Sequence, residues 1–377
     1  HVEAATRTMA GGLRSHGIAV VFLALSAVLA SVFVGVESDT TMIVVAAVLG
    51  GYMALNIGAN DVANNVGPAV GSRALTLFGA LLIAAVFESA GVLIAGGDVV
   101  ATISKGIIDP ELVPDSNIFV LAMMAALVAA ALWVNLATFV GAPVSTTHSV
   151  VGGVMGAGVA AVGFQLVNWG TMGAIAASWV ISPVLGGVIA AAFLAFIKVN
   201  IIYQSDKIAA ARRWVPVLVA IMAGAFACYL SIKGLKRIWK PDTATVLLIG
   251  LAVFAAVWIV MRPLIHRQSE GMENRNQSLR TLFRIPLICS AALLSFAHGA
   301  NDVANAVGPL AAILSSAQSG VIAGKVEVPI WIMLIGAFGI SLGLFLYGPK
   351  LIRMVGEQIT KMNPMRAYCV ALSAAIT

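Results

Sequence analysis

The sequence has few charged residues and few cysteines. Only 10% of its 377 residues are charged, whereas soluble domains typically have about 25%. Because 60% of the residues are hydrophobic and the mean hydropathy is +1.00, the composition excludes an ordinary soluble protein and indicates one embedded in a lipid bilayer. The three cysteines are scattered through apolar stretches, so neither a disulfide framework nor a cysteine-ligated metal is indicated.

The sequence also lacks the patterns of several function classes. It contains no phosphate-binding P-loop, no nucleophile–base constellation and no metal-ligand cluster, so we do not expect an enzyme. The five histidines do not pair across apolar stretches at the spacing of haem ligands, and no cofactor is predicted. The net charge of +6 does not indicate nucleic acid, because the basic residues lie between apolar stretches, where they set membrane topology.

Apolar stretches long enough to cross a membrane occur throughout the chain, and an unfinished one begins at residue 367. They predict an all-α polytopic membrane protein of about 10–12 transmembrane helices. The last stretch has 11 residues before Thr377, and a spanning helix needs about 20, so we expect the natural protein to continue. The ten complete stretches fall near 18–36, 41–68, 76–97, 118–140, 149–166, 171–197, 214–232, 243–264, 285–314 and 328–348.

The loop charges predict the orientation of these spans. Basic residues are concentrated in the loops around 198–213, 262–284 and 350–366, whereas the loop at 98–117 is acidic. Placing the basic loops in the cytoplasm satisfies nearly all of this pattern. The basic segment 233–240, which falls outside in this topology, is an exception without a physical account.

One sequence motif occurs twice. Gly58-Ala-Asn-Asp-Val-Ala-Asn-Asn-Val-Gly-Pro68, here the first motif, returns as Gly299-Ala-Asn-Asp-Val-Ala-Asn-Ala-Val-Gly-Pro309, the second motif, with one difference in eleven positions. Because the two spans enter from opposite sides in the predicted topology, the duplication indicates inverted repeats with broken helices at the midplane, as in many secondary transporters. We assign residues 1–40 to an N-terminal segment with the first span, 41–200 to repeat 1, 201–284 to connecting spans and a cytoplasmic loop, and 285–377 to an incomplete repeat 2.

The motif contains costly polar groups for an apolar span. At helical spacing Asn60, Asp61 and Asn64 share a face, and their oxygens suit a small cation while their amides suit an anion. We expect Gly58 and the Gly67-Pro68 pair to break the helix and free backbone groups for a ligand. Such residues can also simply join helices through hydrogen bonds, and a carrier of cations alone would explain Asp61 and its counterpart Asp302 equally well.

A second polar element begins at Pro143 and continues with Val144, Ser145, Thr146, Thr147 and His148. A proline followed by hydroxyl residues is typical of a helix start, where free N–H groups form an anion site. An ordinary helix cap is the alternative interpretation. Since no lysine or arginine lies deep in an apolar span, an anionic substrate would require bound cations to offset the carboxylates.

With these elements, the sequence resembles the inorganic phosphate transporter family, the Pit-type sodium- or proton-coupled phosphate permeases, from about residue 41 to 377. The resemblance implies inorganic phosphate as substrate, symport with Na+ or H+, alternating access, no ATP hydrolysis and a second Pro-Val-Ser-Thr-Thr-His-like element after residue 377. It also implies that the polar residues of both motifs and of the 145–147 segment line the ion and phosphate sites. The predicted substrate residues are Asn60, Asn64, Ser145, Thr146, Thr147, Asn301 and Asn305, and the predicted cation ligands are Asp61 and Asp302.

Two further residues are candidates for coupling. Glu88 lies in an apolar span and His298 directly precedes the second motif, and both could also serve helix packing. The alternatives for function are a cation-coupled carrier of another oxyanion, such as sulfate, and a non-transporting membrane receptor. The short central loop at 265–284 favours a bacterial inner membrane, and the sequence leaves open whether the protein forms a homodimer.

Overall fold

The structure, a computed structural model, describes most of the chain. Half of the predicted acidic loop at 98–117 and all but the first residue of the basic segment 233–240 lie outside the described residues. The described ranges are residues 2–35, 40–96, 106–109, 112–233, 241–322, 326–359 and 362–377.

The described residues form α-helices joined by short connections. Short π-helical segments, Lys198–Ile202 and Met354–Ile359, continue two of the helices, and no β-strand forms within the described ranges. In chain order the helices are α1 (Val2–Val34), α2 (Thr40–Gly71), α3 (Leu77–Ala95), α4 (Ser116–Val140), α5 (Thr146–Val162), α6 (Trp169–Ile197), α7 (Lys207–Lys233), α8 (Thr243–Gln268), α9 (Asn276–Leu282), α10 (Arg284–Asp302), α11 (Ala304–Ser319), α12 (Ile330–Arg353) and α13 (Pro364–Ile376).

Nine helical stretches within the described ranges are long and apolar enough to cross a membrane, and α5 adds a shorter apolar helix of 17 residues. Large apolar side chains on α6 and α8, such as Val184 and Leu251, are exposed. Such exposure is expected where a helix faces lipid, because hydrocarbon imposes no cost on an apolar surface. The helices confirm the predicted all-α polytopic class, with boundaries within a few residues of most predicted spans.

The two motifs differ in helix continuity. The α2 helix runs unbroken through the first motif, with Pro68 in its last turn. The prediction that Gly58, Gly67 and Pro68 break this helix is therefore wrong. Pro68 has no N–H group to donate to the carbonyl four residues earlier, but only three residues of the helix follow it. In the second motif the regular helix is interrupted only at Val303, between α10 and α11, and this residue keeps helical backbone angles (φ −54°, ψ −32°).

The chain divides into two compact units. Unit 1 comprises residues 1–62, 88–174 and 298–351. Glycines allow close helix crossings within it. A Cβ at Gly58 would overlap the backbone carbonyl of Ile340, and one at Gly343 would overlap that of Leu55. The first glycine of the motif therefore serves close packing of α2 against α12.

Unit 2 comprises residues 63–87, 175–297 and 352–377. In this unit α7 and α8 pack closely where Gly224 faces Gly250, since a Cβ at Gly224 would contact the Gly250 carbonyl oxygen. A buried apolar cluster joins α7, α9 and α13, and in it the rings of Phe283 and Tyr368 lie edge to face at 5.7 Å. This packing fixes the helices around the end of α2.

Candidate functional site

The candidate site lies in unit 1, and its first component is Asn60. This side chain is fully buried in the middle of α2, and its hydrogen bonds go to the last turn of α4 and to the segment between α4 and α5. Its amide nitrogen donates to Thr138 Oγ1 at 2.9 Å and to the Ala142 carbonyl at 3.2 Å, and its oxygen accepts from the Val144 N–H at 2.9 Å. Asn60 therefore holds the connection that leads into α5.

The start of α5 contacts both motifs through adjacent threonines. Ser145 caps the helix, because its Oγ accepts from the His148 N–H at 3.2 Å. Thr146 is buried and its hydroxyl donates to Asp61 Oδ2 at 2.6 Å. Thr147 Oγ1 accepts from the Asn305 side-chain amide at 3.0 Å. The predicted helix start is thus confirmed, and its hydroxyl groups join α2 to α11.

A cluster of three carboxylates surrounds His298. The imidazole Nε2 lies 3.2 Å from Asp302 Oδ2 and 3.5 Å from Asp61 Oδ2, and Nδ1 lies 3.3 Å from Glu88 Oε1. Glu88 is fully buried and the Asp61 side chain is 5% exposed, whereas that of Asp302 is 26% exposed. No lysine or arginine within the described ranges forms an ion pair with Asp61 or Asp302. These two aspartates share one imidazole, so this part of the cluster suits a further proton or cation.

Part of this cluster is suited to hold a cation directly. One ligand atom each from Asp61, His298 and Asp302 lies within 4.8 Å of the others. Carboxylate oxygens are hard ligands that suit small cations of the main groups. The free N–H groups at the start of α5 are close by through Thr146, so groups that suit a cation and groups that suit an anion adjoin each other.

The structure brings together most, but not all, of the predicted residues. Asn60, Asp61, Glu88, Thr146, Thr147, His298, Asp302 and Asn305 are connected through the contacts above. Ser145 is exposed and acts as the α5 cap, and Asn301 is exposed. Asn64 is also exposed and belongs to unit 2, so helical spacing alone does not bring it into the buried cluster.

Sequence reasoning missed three polar residues that support the site. Thr138 on α4 accepts from Asn60, and Asn135, one turn earlier, donates to the Asn56 oxygen at 3.2 Å. The available signal was a polar stripe on α2, where Asn56 and Asn60 are four residues apart in an apolar helix. On α4, Asn135 and Thr138 are three residues apart and therefore also share one helix face.

The two motifs make reciprocal helix crossings. Gly58 of the first motif packs against the backbone of Ile340 on α12, and Gly299 of the second packs against that of Glu88 on α3. The next residues, Ser89 and Ser341, hydrogen-bond each other through their Oγ atoms at 2.7 Å. Position 340 thus corresponds to position 88 in the other half, and isoleucine replaces the acid there.

Buried acids and amides on membrane-spanning helices, next to a helix start that suits an anion, define a polytopic membrane carrier of ions. The phosphate transporter family model matches residues 57–377. The chain belongs to the phosphate transporter family, whose members are membrane permeases rather than enzymes.

Individual relatives agree with this assignment. A protein of Helicobacter pylori strain J99 named as a phosphate permease is 50% identical over 100% of this chain and 71% of its own length. One from Pyrococcus abyssi, also named as a phosphate permease, is 37% identical over 87% of this chain and 80% of its own. A solved structure described as the sodium-dependent phosphate transporter is similar with a TM-score of 0.83 and 37% identity, covering 89% of this chain and 83% of that one.

Proposed function

We propose that this protein imports inorganic phosphate by symport with a cation, and that sodium is the coupling ion. The observation that supports it most directly is the arrangement of Asp61, His298 and Asp302 around a common point. Next to them, Thr146 presents the start of α5. The family membership supports phosphate as substrate, and the similar solved structure is described as sodium-dependent.

In this mechanism the cation occupies the acidic cluster before phosphate binds. Asp61 and Asp302 contribute carboxylate oxygens, and the bound positive charge lowers the electrostatic cost of bringing phosphate next to them. Phosphate then binds at the start of α5, with the hydroxyls of the 145–147 segment and the motif amides Asn301 and Asn305 as donors. Asn60 is a positioning residue, because its amide holds the connection before α5.

The remaining steps follow from the duplication. Reciprocal crossings at Gly58 and Gly299 support two related halves, which rock about the central site to expose it to one side and then the other. Glu88 and His298 connect the cluster to the crossing of α3 and α10, and thus couple the occupancy of the cation site to helix packing. Besides the phosphate substrate, the transported cation is the only inorganic component that this mechanism requires.

The decisive experiment is uptake of radiolabelled phosphate into proteoliposomes that contain the purified protein. We expect uptake under an inward sodium gradient and none under a proton gradient in sodium-free buffer. Uptake under the proton gradient alone would contradict sodium coupling but not phosphate symport. No uptake under either gradient, with a folded protein, would contradict the proposal.

Two controls complete that experiment. An excess of unlabelled sulfate should leave phosphate uptake unchanged if the carrier is specific for phosphate. Inhibition by sulfate would instead indicate a general oxyanion carrier. The variant Glu270→Gln removes a carboxylate that is 65% exposed and lies outside the cluster, so it should transport normally. Loss of uptake in this variant would show that the assay responds to charge in general.

A further inference from the structure

A basic cavity lies in unit 2, apart from the acidic cluster. Its volume is about 770 Å³, and it is bounded by the end of α2 with the turn that follows, by α9 and the start of α10, and by the segment that leads into α13. Its lining residues are Gly71, Ser72, Arg73, Ala74, Gln277, Arg280, Thr281, Arg284, Gly356, Met362, Asn363 and Pro364. None of these residues belongs to the proposed transport site.

The charge of this lining has one sign. Among its described residues the lining includes Arg73, Arg280 and Arg284 and no aspartate or glutamate. Arg284 is oriented by its Nε, which donates to the Ala74 carbonyl at 2.9 Å and leaves the two terminal nitrogens with four N–H groups for a ligand. The guanidinium groups of Arg73 and Arg280 have no hydrogen bond or ion pair with other residues of the described ranges.

Arg73 has an unusual backbone. Its φ of 62° makes it the single non-glycine residue with positive φ in the described part of the chain. It closes the turn after α2, where the Arg73 N–H donates to the Val70 carbonyl at 2.9 Å and the Ala74 N–H to the Ala69 carbonyl at 2.9 Å. Glycine would adopt this conformation without strain, so the backbone alone gives no reason for an arginine.

We propose that Arg73, Arg280 and Arg284 form a binding site for a phosphate-type oxyanion. Guanidinium groups bind phosphate oxygens through paired, charge-assisted hydrogen bonds, and three exposed ones line this cavity. The ligand is either free inorganic phosphate or the phosphodiester group of an anionic lipid. The predicted topology places this site on the cytoplasmic side, where both are present.

A simpler reason for arginines at this place is topology, since basic residues mark cytoplasmic loops in general. If topology is the reason, only the total positive charge of the loops matters, and removing any one of these arginines should have the same effect. Arg267 is an exposed arginine of the same predicted loop outside the cavity, so Arg267→Gln is the matched control. A site in the cavity requires Arg73 and Arg280 and is indifferent to Arg267.

The first arm of the test measures binding of radiolabelled inorganic phosphate to the purified protein at low ionic strength. If the cavity binds free phosphate, we expect two classes of site: one is lost in Thr147→Val, and the other is weakened about tenfold in Arg73→Gly and in Arg280→Gln. Arg73→Gly should be at least as thermally stable as the original chain, because it removes backbone strain. Weaker binding with unchanged or higher stability therefore cannot be attributed to unfolding.

The second arm measures lipid retention. The protein is reconstituted in phosphatidylcholine vesicles with and without phosphatidylglycerol, extracted in mild detergent and examined by native mass spectrometry. Loss of bound phosphatidylglycerol in Arg73→Gly and Arg280→Gln, with phosphate binding unchanged, identifies a lipid headgroup as the ligand. Weaker phosphate binding with lipid retention unchanged identifies free phosphate.

The proposal is overturned if Arg73→Gly and Arg280→Gln match Arg267→Gln in both arms. The proposed transport function fails separately. If Thr147→Val binds phosphate normally while the arginine variants do not, the central site is wrong and the basic cavity is right. If Thr147→Val alone reduces phosphate binding and the arginine variants retain lipid normally, the central site is right and the proposal for the basic cavity is wrong.

Discussion

The two motifs share ten of eleven residues but have different surroundings. In the first motif Asn60 and Asp61 are buried, and both bind the segment around the start of α5. In the second motif Asn301 is exposed and Asp302 is 26% exposed, whereas Asn305 is buried and bonds Thr147. Equal sequence therefore does not give equal surroundings, because the corresponding asparagines and aspartates of the two motifs differ in burial. This difference leads to predictions that compare matching residues of the two motifs.

The largest expected effect is on the two aspartates. Asp61→Asn and Asp302→Asn each preserve side-chain volume and remove one negative charge from the cluster. We expect both to reduce coupled uptake to background, because the cation loses a charged ligand. Sodium-dependent uptake in proteoliposomes measures this, with expression and thermal stability as checks. Normal uptake in both variants would disprove the cation role.

The motif glycines should give the next largest effect. Gly58→Ala and Gly299→Ala place a methyl group against the backbone of Ile340 and of Glu88, where nothing flexible can move aside. We expect each to lower the melting temperature strongly and to reduce the yield of folded protein. The matched control is Gly152→Ala on α5, where a Cβ meets open space. A loss limited to one of the two motif variants would mean that the crossings are not equivalent.

We expect the clearest difference between the two motifs when their corresponding asparagines, Asn60 and Asn301, are replaced. Asn60→Ala leaves the Val144 N–H without its acceptor and Thr138 without its donor, so we expect a loss of about 1–3 kcal/mol in stability and at least tenfold in uptake. Asn301→Ala removes an exposed side chain and should leave stability unchanged. Thermal denaturation of both variants tests this, and equal destabilisation would contradict the asymmetry.

The smallest expected effect concerns the serine pair between the halves. Ser89→Ala and Ser341→Ala each remove one side of the 2.7 Å hydrogen bond. Inter-helical hydrogen bonds in membranes contribute on average about 0.6 kcal/mol, so a double-mutant cycle should give a coupling of that size. A coupling indistinguishable from zero would show that the crossing depends on backbone packing alone.

Much of the fold could be predicted from the sequence. Long apolar stretches fix membrane helices because every backbone polar group must be satisfied inside the helix. The cluster was predicted in part: the two motif acids, the helix start at Ser145 and the candidates Glu88 and His298 were all identified. Their convergence could not be derived, because spacing along one helix does not specify which neighbouring helix it meets.

The errors have the same origin. Helical spacing placed Asn64 with Asn60, but burial depends on the helices that pack there, and Asn64 is exposed. Gly58 was interpreted as a helix breaker, because the sequence shows a glycine but not the Ile340 carbonyl that lies against it. Glycine in a membrane helix permits both a break and a close crossing, and only the tertiary structure distinguishes them.

The irregular turn at Val303 affects how the two motifs can move. The α2 helix passes through Asn60 and Asp61 without interruption, so any tilt of that helix moves both residues together. In the second motif Asp302 ends α10 and Asn305 lies in the first turn of α11, where the Ala306 and Val307 N–H groups donate to the Val303 carbonyl at 3.0 and 2.9 Å. The acid that approaches His298 and the amide that bonds Thr147 therefore lie on either side of this turn, whose backbone keeps helical angles at Val303 (φ −54°, ψ −32°).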